Sequence, residues 1–273
     1  MYKIKCGSCL TKKNYPGKVD LILFDPPFYS VKANYKQIRD DTENKLDEIK
    51  NFENYHAAFK RICEISNKIL RDHGWFIFKA DDITAREMYP VVGNFFEYEN
   101  RSIIWNKGRI GVGRKIRPQH ELLEVYHHYK EKQFWGGPKP EKKQITYNDL
   151  FGKKTKVKIK KWHGGSKGKA FSSILSVPNF NSGTLGISNH QHINQTPPEL
   201  WIEVIEKFCP KKGLVLDLTA GSFSILQAIM NLNQSSKNHY SYYGIEVEKR
   251  YCDEARRRLL KDTQLTKFLE VAD

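Results

Sequence analysis

Val19-Asp20-Leu21-Ile22-Leu23-Phe24-Asp25-Pro26-Pro27-Phe28 is the stretch from which the rest of the chain can be read. Its first six residues form an apolar run of the length of a short buried β-strand. Asp25 then places a carboxylate at the strand's carboxyl end. Two prolines follow. Each fixes φ and lacks an N–H, so the chain turns and its carbonyls stay free to accept hydrogen bonds. Asp25 adds a further acceptor, and Phe28 adds a flat apolar face. Together they form a cradle for a planar group that carries an amino substituent, the shape of adenine or cytosine. An Asp-Pro turn is also common punctuation on protein surfaces, so the surrounding sequence must decide between the two readings.

The chain has 273 residues, 39% hydrophobic and 12% aromatic, enough for one large α/β domain or a domain with an insertion. No stretch approaches the roughly 18 apolar residues of a membrane span. The start, Met1-Tyr2-Lys3-Ile4-Lys5, lacks the apolar segment of a signal peptide, so a cytoplasmic location is expected. Cys6, Cys9, Cys63, Cys209 and Cys252 are an odd, scattered set, which argues against a disulfide framework. Cys6-x-x-Cys9 has no second pair to complete four zinc ligands, and no metal is expected.

The net charge of +15 points to a polyanionic partner, most often nucleic acid. The excess is concentrated. Tyr129 to Ala170 carries 13 lysines against Glu131, Glu141 and Asp149, so it supplies +10 of the total. Phe134, Trp135, Tyr147, Phe151 and Trp162 are interleaved with those lysines, which suits a small folded insertion that touches nucleic acid better than a solvated tract.

The remaining chain alternates strand and helix signals. Residues 29–50 are polar and charged and read as a mobile loop. Phe52, Tyr55, Phe59, Ile62, Ile65 and Ile69 recur at helical spacing and read as core, with His73-Gly74 as the helix stop. Strands are expected at 75–78, 101–105, 122–126, 214–218 and 242–246, and helices at 84–95, 197–208, 222–231 and 249–260. Asn106 to Arg114 is a Gly/Arg-rich loop. The alternation implies a mostly parallel sheet with helices on both faces.

A second constellation lies near the carboxyl end. Val215-Leu216-Asp217-Leu218-Thr219-Ala220-Gly221-Ser222 reads as strand, glycine turn and helix start. Glycine there lets a ligand approach the backbone, and a helix N-terminus favours electronegative groups. The next strand, Tyr243-Gly244-Ile245-Glu246, ends in a carboxylate. In a nucleoside-binding βαβ unit, an acidic residue at that strand end binds ribose hydroxyls. The turn has Gly221 but Phe223 two places on, so it is not Gly-x-Gly.

Taken in order, these segments resemble the β-class amino-methyltransferases, which use S-adenosylmethionine to methylate exocyclic amines of DNA bases. Gly7-Ser8-Cys9-Leu10 and Asp25-Pro26-Pro27-Phe28 resemble the family's opening block and catalytic motif. Ile104-Trp105-Asn106-Lys107-Gly108 and Gln119-His120-Glu121-Leu122-Leu123 resemble its central strand pair. Gln195-Thr196-Pro197-Pro198-Glu199-Leu200 resembles the block that opens the cofactor half. Asp217 to Ser224 resembles the methionine-binding loop, and Gly244-Ile245-Glu246 with Tyr251, Ala255 and Arg256-Arg257-Arg258-Leu259 resembles the ribose-binding strand and its helix. The catalytic motif precedes the cofactor loop, with a basic insertion between them, as in the β-class. Protein glutamine methyltransferases share a Pro-Pro-Tyr motif but place the cofactor loop first. Two residues depart from the family pattern: Ser8 stands where Asp is usual, and Phe223 replaces the second glycine.

The resemblance implies a Rossmann-like methyltransferase fold, with a catalytic half over 1–128, a basic target-recognition insertion over 129–188 and a cofactor half over 189–273. It implies S-adenosyl-L-methionine as cofactor, held by Ser8, Asp25, Gln195, Thr196, Asp217, Ala220, Gly221, Ser222, Phe223 and Glu246. Catalysis falls to Asp25, Pro26, Pro27 and Phe28. Asp25 and the Pro26 carbonyl accept the hydrogens of the target amine while Phe28 stacks on a base flipped out of double-stranded DNA. Arg109, Arg114, Arg117, Lys153, Lys154, Lys160 and Lys161 are candidate phosphate contacts. Asp-Pro-Pro is associated with adenine-N6 transfer. Cytosine-N4 transfer, an RNA substrate and a catalytically weak nucleic-acid-binding relative are the alternatives. A homodimer and a cognate restriction endonuclease are partners that the family context suggests but no residue specifies.

Overall fold

The structure, a computed structural model, describes residues 1–29, 52–99, 102–108, 118–128, 141–148, 154–161, 173–178, 196–235 and 239–261. Most of the expected loop over 29–50, together with Arg109, Arg114, Arg117, Lys153 and Gln195, lies outside these residues. The chain divides into two units, Met1–Tyr129 with Ser173–Asp273, and Lys130–Ser172.

The larger unit is built on one sheet. Its amino-terminal part supplies β1 (Tyr2–Cys6), β2 (Val19–Phe24), α1 (Phe52–Ile69), β3 (Leu70–Ala80), α2 (Asp82–Val92), β4 (Glu97–Tyr98), β5 (Ile103–Asn106) and β6 (His120–His128). The lysine-rich unit contains β7 (Glu141–Asn148) and β8 (Lys154–Lys161). The chain then returns with β9 (Ile174–Ser176), α3 (Pro198–Phe208), β10 (Leu214–Asp217), α4 (Ser224–Ser235), β11 (Ser241–Glu246) and α5 (Lys249–Lys261). The strand order is β1-β11-β10-β2-β3-β6-β5-β9, with β4 also on β6. Strands β1, β11, β10, β2 and β3 pair parallel, and β6 runs antiparallel to β3, β4 and β5.

Strand alternation divides the core between the two sheet faces. Ile22, Phe24, Phe76, Phe78, Tyr126, Leu216 and Ile245 pack on one face with Tyr55, Phe59 and Ile62 of α1 and Met88 and Val92 of α2. Trp75, on the other face, meets Phe208 of α3 edge-on at 5.0 Å. Phe223, at the start of α4, lies 6.5 Å from Tyr242 of β11. Helices therefore cover both faces, as the alternation of elements requires.

The helix stop expected at His73-Gly74 is not one. Helix α1 ends at Ile69, and His73-Gly74 lies inside β3, where the pairing with β2 shifts register between Val19 and Leu21. His73 takes φ 63°. At Gly74 a Cβ would come within 2.9 Å of the Asp20 carbonyl, so only glycine fits. The pair makes a bulge rather than a helix cap. Strand β9 lies within the expected insertion over 129–188, yet it pairs parallel with β5 in the main sheet.

The smaller unit holds an antiparallel ribbon in which Lys142 pairs with Lys160, Gln144 with Lys158, Thr146 with Lys156 and Asn148 with Lys154. Alternation puts positions 154, 156, 158 and 160 on one face of the ribbon. Positions 155, 157, 159 and 161 share the other.

The carboxyl ends of the parallel strands position the site. Strand β2 continues through α1 to β3 on one side, and β10 continues through α4 to β11 on the other. Adjacent strands whose crossovers diverge make a topological switch point, the place where open α/β sheets bind ligands. Asp25 and Asp217 stand at the two strand ends that flank it.

Candidate active site

The Asp-Pro-Pro-Phe segment is tied down on every side. The Thr219 hydroxyl donates to the Asp25 carbonyl at 2.9 Å, across 194 residues of sequence. The buried Tyr55 hydroxyl donates to the Pro27 carbonyl at 2.8 Å. The Tyr29 amide donates to Thr84 Oγ1 at 2.8 Å, and the Thr84 amide in turn donates to Asp81, the N-cap of α2. Between two engaged carbonyls, that of Pro26 accepts no hydrogen bond from the described residues. The prolines cannot donate, so the turn presents an acceptor without a competing N–H.

The Asp25 side chain is held through one oxygen. Thr196 Oγ1 donates to Asp25 Oδ2 at 3.0 Å, and Lys79 Nζ forms an ion pair with the same atom at 3.0 Å. No hydrogen bond from the described residues reaches Oδ1. Asp25 Oδ1 and the Pro26 carbonyl are thus neighbouring acceptors on a braced segment.

Lys79, near the end of β3, is buried and belongs to none of the motifs legible in the sequence. It donates to Thr196 Oγ1 at 2.7 Å. It also lies 3.2 Å from Glu121 Oε2, an ion pair without hydrogen-bond alignment. Glu121 Oε1 pairs with Lys107 at 2.9 Å. The charges therefore alternate along Lys107, Glu121, Lys79 and Asp25. Burial opposes the charge on Lys79, but Asp25 and Glu121 outweigh it and raise the pKa of the ammonium. Burial likewise opposes the Glu121 carboxylate, but Lys79 and Lys107 outweigh it and hold its pKa below the usual range. The rings of Phe28 and Trp105 each lie 5.5 Å from Lys79 Nζ, within cation–π range.

Across the switch point, Glu246 organises the loop after β10. Its Oε2 accepts from the Gly221 amide at 2.7 Å and its Oε1 from the Glu248 amide at 2.8 Å. Burial raises its pKa against those hydrogen bonds. Asp217 is almost fully buried. Its Oδ2 accepts from the Tyr242 hydroxyl at 2.9 Å, and its Oδ1 has no hydrogen-bond partner among the described residues. Desolvation pushes the Asp217 carboxyl up to about 8. Gly244 makes room for the phenol, because a Cβ there would collide with the Tyr242 hydroxyl.

A family model described as DNA methylase matches residues 19–257. The chain belongs to this N6/N4 DNA methylase family. No match was found among curated proteins. Among solved structures, the M1.HpyAVI complex with S-adenosylmethionine is 17% identical, with a TM-score of 0.58 over 95% of this chain and 99% of the other. TTHA0409 of Thermus thermophilus, assigned as a DNA modification methylase, is 17% identical, with a TM-score of 0.62 over the whole of both chains. The cytosine-N4-specific PvuII DNA methyltransferase is 14% identical, with a TM-score of 0.56 over 96% of this chain and 89% of the other. At these identities the likeness concerns the fold.

The two departures from the DNA methylase pattern have local explanations. Ser8 Oγ accepts from the Leu10 amide at 3.1 Å, closing a turn after β1 that Asn14 also braces through the Ser8 carbonyl. Phe223 takes φ 61° and Gly221 φ 50°. Both positions are left-handed, the conformation glycine adopts without strain. The Phe223 ring is 0% exposed and packs into the core. The Ser222 carbonyl accepts from Arg258 at 2.8 Å, and the Ala220 amide donates to the Ile245 carbonyl at 3.0 Å, fixing the loop against α5 and β11. Among the described residues, no cluster of His, Cys, Asp or Glu could hold a metal, and no helix is long and apolar enough to cross a membrane. An open cleft of about 470 Å³ lined by Lys3, Lys5, Lys13 and Tyr243 includes none of the groups described above.

Proposed function

We propose that this DNA methylase transfers a methyl group from S-adenosylmethionine to the N6 amine of adenine in double-stranded DNA. The observation that carries the reading is the pair of acceptors that no described residue engages, Asp25 Oδ1 and the Pro26 carbonyl, on a segment whose Asp25 and Pro27 carbonyls and Asp25 Oδ2 are already held. An exocyclic amine has two N–H hydrogens and a lone pair delocalised into the ring. Accepting both hydrogens draws the nitrogen toward tetrahedral geometry and exposes the lone pair. The same two acceptors meet the positive charge that develops on nitrogen. Phe28 supplies the stacking face for a flipped base. Cytosine N4 carries the same two hydrogens and satisfies the same acceptors, so it is the second reading. Adenine is preferred because Asp heads the motif.

The residues across the switch point fit the cofactor. Asp217 Oδ1 is a buried acceptor without a hydrogen-bond partner among the described residues and suits an ammonium group. Glu246 stands at the strand end that suits ribose hydroxyls. Ser8, Gln195, Thr196, Ala220, Gly221, Ser222 and Phe223 complete the proposed binding set. Bound S-adenosylmethionine supplies a methyl group already activated on a sulfonium. Holding base and donor together contributes up to roughly 7–11 kcal/mol.

For DNA, the ribbon register sharpens the choice of lysines. Positions 154, 156, 158 and 160 form a one-faced row about 6.6 Å apart, suited to a phosphate backbone. Lys161 falls on the opposite face. Arg109, Arg114, Arg117 and Lys153 remain proposed phosphate contacts. Incubation with S-adenosylmethionine and unmethylated DNA, followed by digestion and mass spectrometry of the nucleosides, tests the reading. N6-methyladenine is expected. N4-methylcytosine would move the assignment to the second reading, and no methylated base would refute both.

A further inference from the structure

Lys79 occupies a position where a charge is costly. It sits in the fully buried run Phe76-Ile77-Phe78-Lys79-Ala80, flanked by residues with no exposure at all. A buried ammonium persists only when it is paired. Its partners are not distributed at random. Thr196 accepts a hydrogen bond from Lys79 at 2.7 Å and passes its own hydrogen to Asp25 Oδ2 at 3.0 Å. Lys79 itself pairs with that same oxygen at 3.0 Å. The three side chains close a triangle on a single carboxylate oxygen. Glu121, in turn held by Lys107, offsets the extra positive charge, so the cation does not leave the site net positive.

The consequence is directional. A carboxylate at a strand end can rotate about χ2 at little cost. One hydrogen bond and one ion pair on Oδ2 restrict that freedom and fix where Oδ1 points. The triangle also spans the two halves of the enzyme, since Lys79 and Asp25 lie in the amino-terminal half and Thr196 opens the segment leading into α3. We infer that Lys79 is a positioning residue for methyl transfer: with Thr196 it locks Asp25 so that Oδ1 faces the target amine. This rests on the functional reading above, with Asp25 as the amine acceptor.

Lys79→Met keeps the unbranched stem of the side chain and removes the ammonium. DNA affinity, cofactor affinity and KM should stay within a few-fold of wild type, while kcat falls by about 100-fold, the scale of a misplacement of about 1 Å at a reacting group. Lys79→Ala should be rescued in kcat by added n-propylamine, whose ammonium can occupy the vacated space. It should not be rescued by n-propanol, which fills the space without the charge. A purely space-filling role would reverse that preference or abolish it. Should the Lys79 variants fail to fold, Thr196→Val removes the shared hydroxyl in an isosteric side chain and should lower kcat, measured at saturating cofactor because Thr196 also belongs to the proposed binding set, by roughly tenfold at unchanged KM for DNA. A Lys79→Met or Thr196→Val enzyme with wild-type kcat would overturn the inference. A crystal structure of Lys79→Met should show the Asp25 carboxylate rotated from its place on Thr196, and an unmoved carboxylate would overturn the inference independently of turnover. Inactivity of the wild type toward DNA would instead overturn the functional reading.

Discussion

Phe223 is where the structure makes its most unusual demand on the sequence. The residue holds φ 61°, yet its ring is wholly buried. A left-handed residue with a Cβ costs about 1–2 kcal/mol. Burial of the phenyl group opposes that cost, and deleting a buried phenylalanine side chain removes about 3–5 kcal/mol. Phe223→Ala loses the ring and keeps the strain. Phe223→Gly loses the ring and releases the strain, but it gains about 0.4–1 kcal/mol of unfolded-chain entropy to be overcome. The two variants should both be less stable than wild type. Their order should also be inverted from the usual one, with the glycine variant more stable by roughly 0.5–1 kcal/mol. Urea unfolding resolves the difference if the m-values agree, since a shift of midpoint at constant m reports stability alone. An alanine variant more stable than the glycine variant would refute a left-handed backbone at this position. Two variants that both match wild-type stability would refute the burial of the ring.

Three further outcomes follow from the site. Asp217 keeps its proton up to about pH 8 in the folded chain and only through the ordinary carboxylate range when unfolded. The native state thus binds that proton more tightly, so its contribution is complete at low pH and is lost as pH rises through about 8. Asp217→Asn should flatten this part of the stability profile of the free enzyme, and an unchanged slope would refute the assignment. Replacing Lys154, Lys156, Lys158 and Lys160 by glutamine should reduce the slope of log affinity for DNA against log salt by up to about 3–4, whereas Lys161→Gln alone should change it little. Equal effects per lysine on both faces of the ribbon would refute the one-sided contact. Tyr55→Phe frees the Pro27 carbonyl and should destabilise the fold by about 1 kcal/mol in denaturant unfolding; no loss would show that the bond does not brace the turn.

Much of the fold is legible because the buried parallel strands are continuous apolar runs. Val19–Phe24 is bounded to the residue by its composition, and Leu214–Asp217 and Ser241–Glu246 to within one. Strand β1 is harder to see, because Tyr2-Lys3-Ile4-Lys5-Cys6 alternates lysines with its apolar residues, and its burial depends on pairing with β11. His73-Gly74 misleads because left-handed residues end helices and also make bulges, and only the register with Asp20 separates the two. The β7–β8 ribbon hides behind its charge. Val157 and Ile159 alternate with lysines in a strand pattern, but the total positive charge dominates the reading.

The candidate site is partly legible for the same kind of reason. Asp25, Pro26, Asp217 and Glu246 announce themselves at strand ends. Lys79 does not, because the run Trp75 to Phe78 reads as a complete strand without it. The signal that could have found it is a charge next to a fully apolar run: if the strand continues to Ala80, the lysine must be buried and must have a counter-charge. Nothing local in the sequence names Asp25, Glu121 and Thr196 as its partners, since only the sheet order brings them together.

The proposed chemistry turns on Asp25 accepting a hydrogen of the target amine. Methyl transfer from S-adenosylmethionine to unmethylated DNA, measured by nucleoside mass spectrometry for wild type and Asp25→Ala at matched DNA occupancy, tests it most directly. The wild type should yield N6-methyladenine, and Asp25→Ala should bind the same DNA and yield none. An Asp25→Ala enzyme that still methylates the base would show that Asp25 is not the amine acceptor.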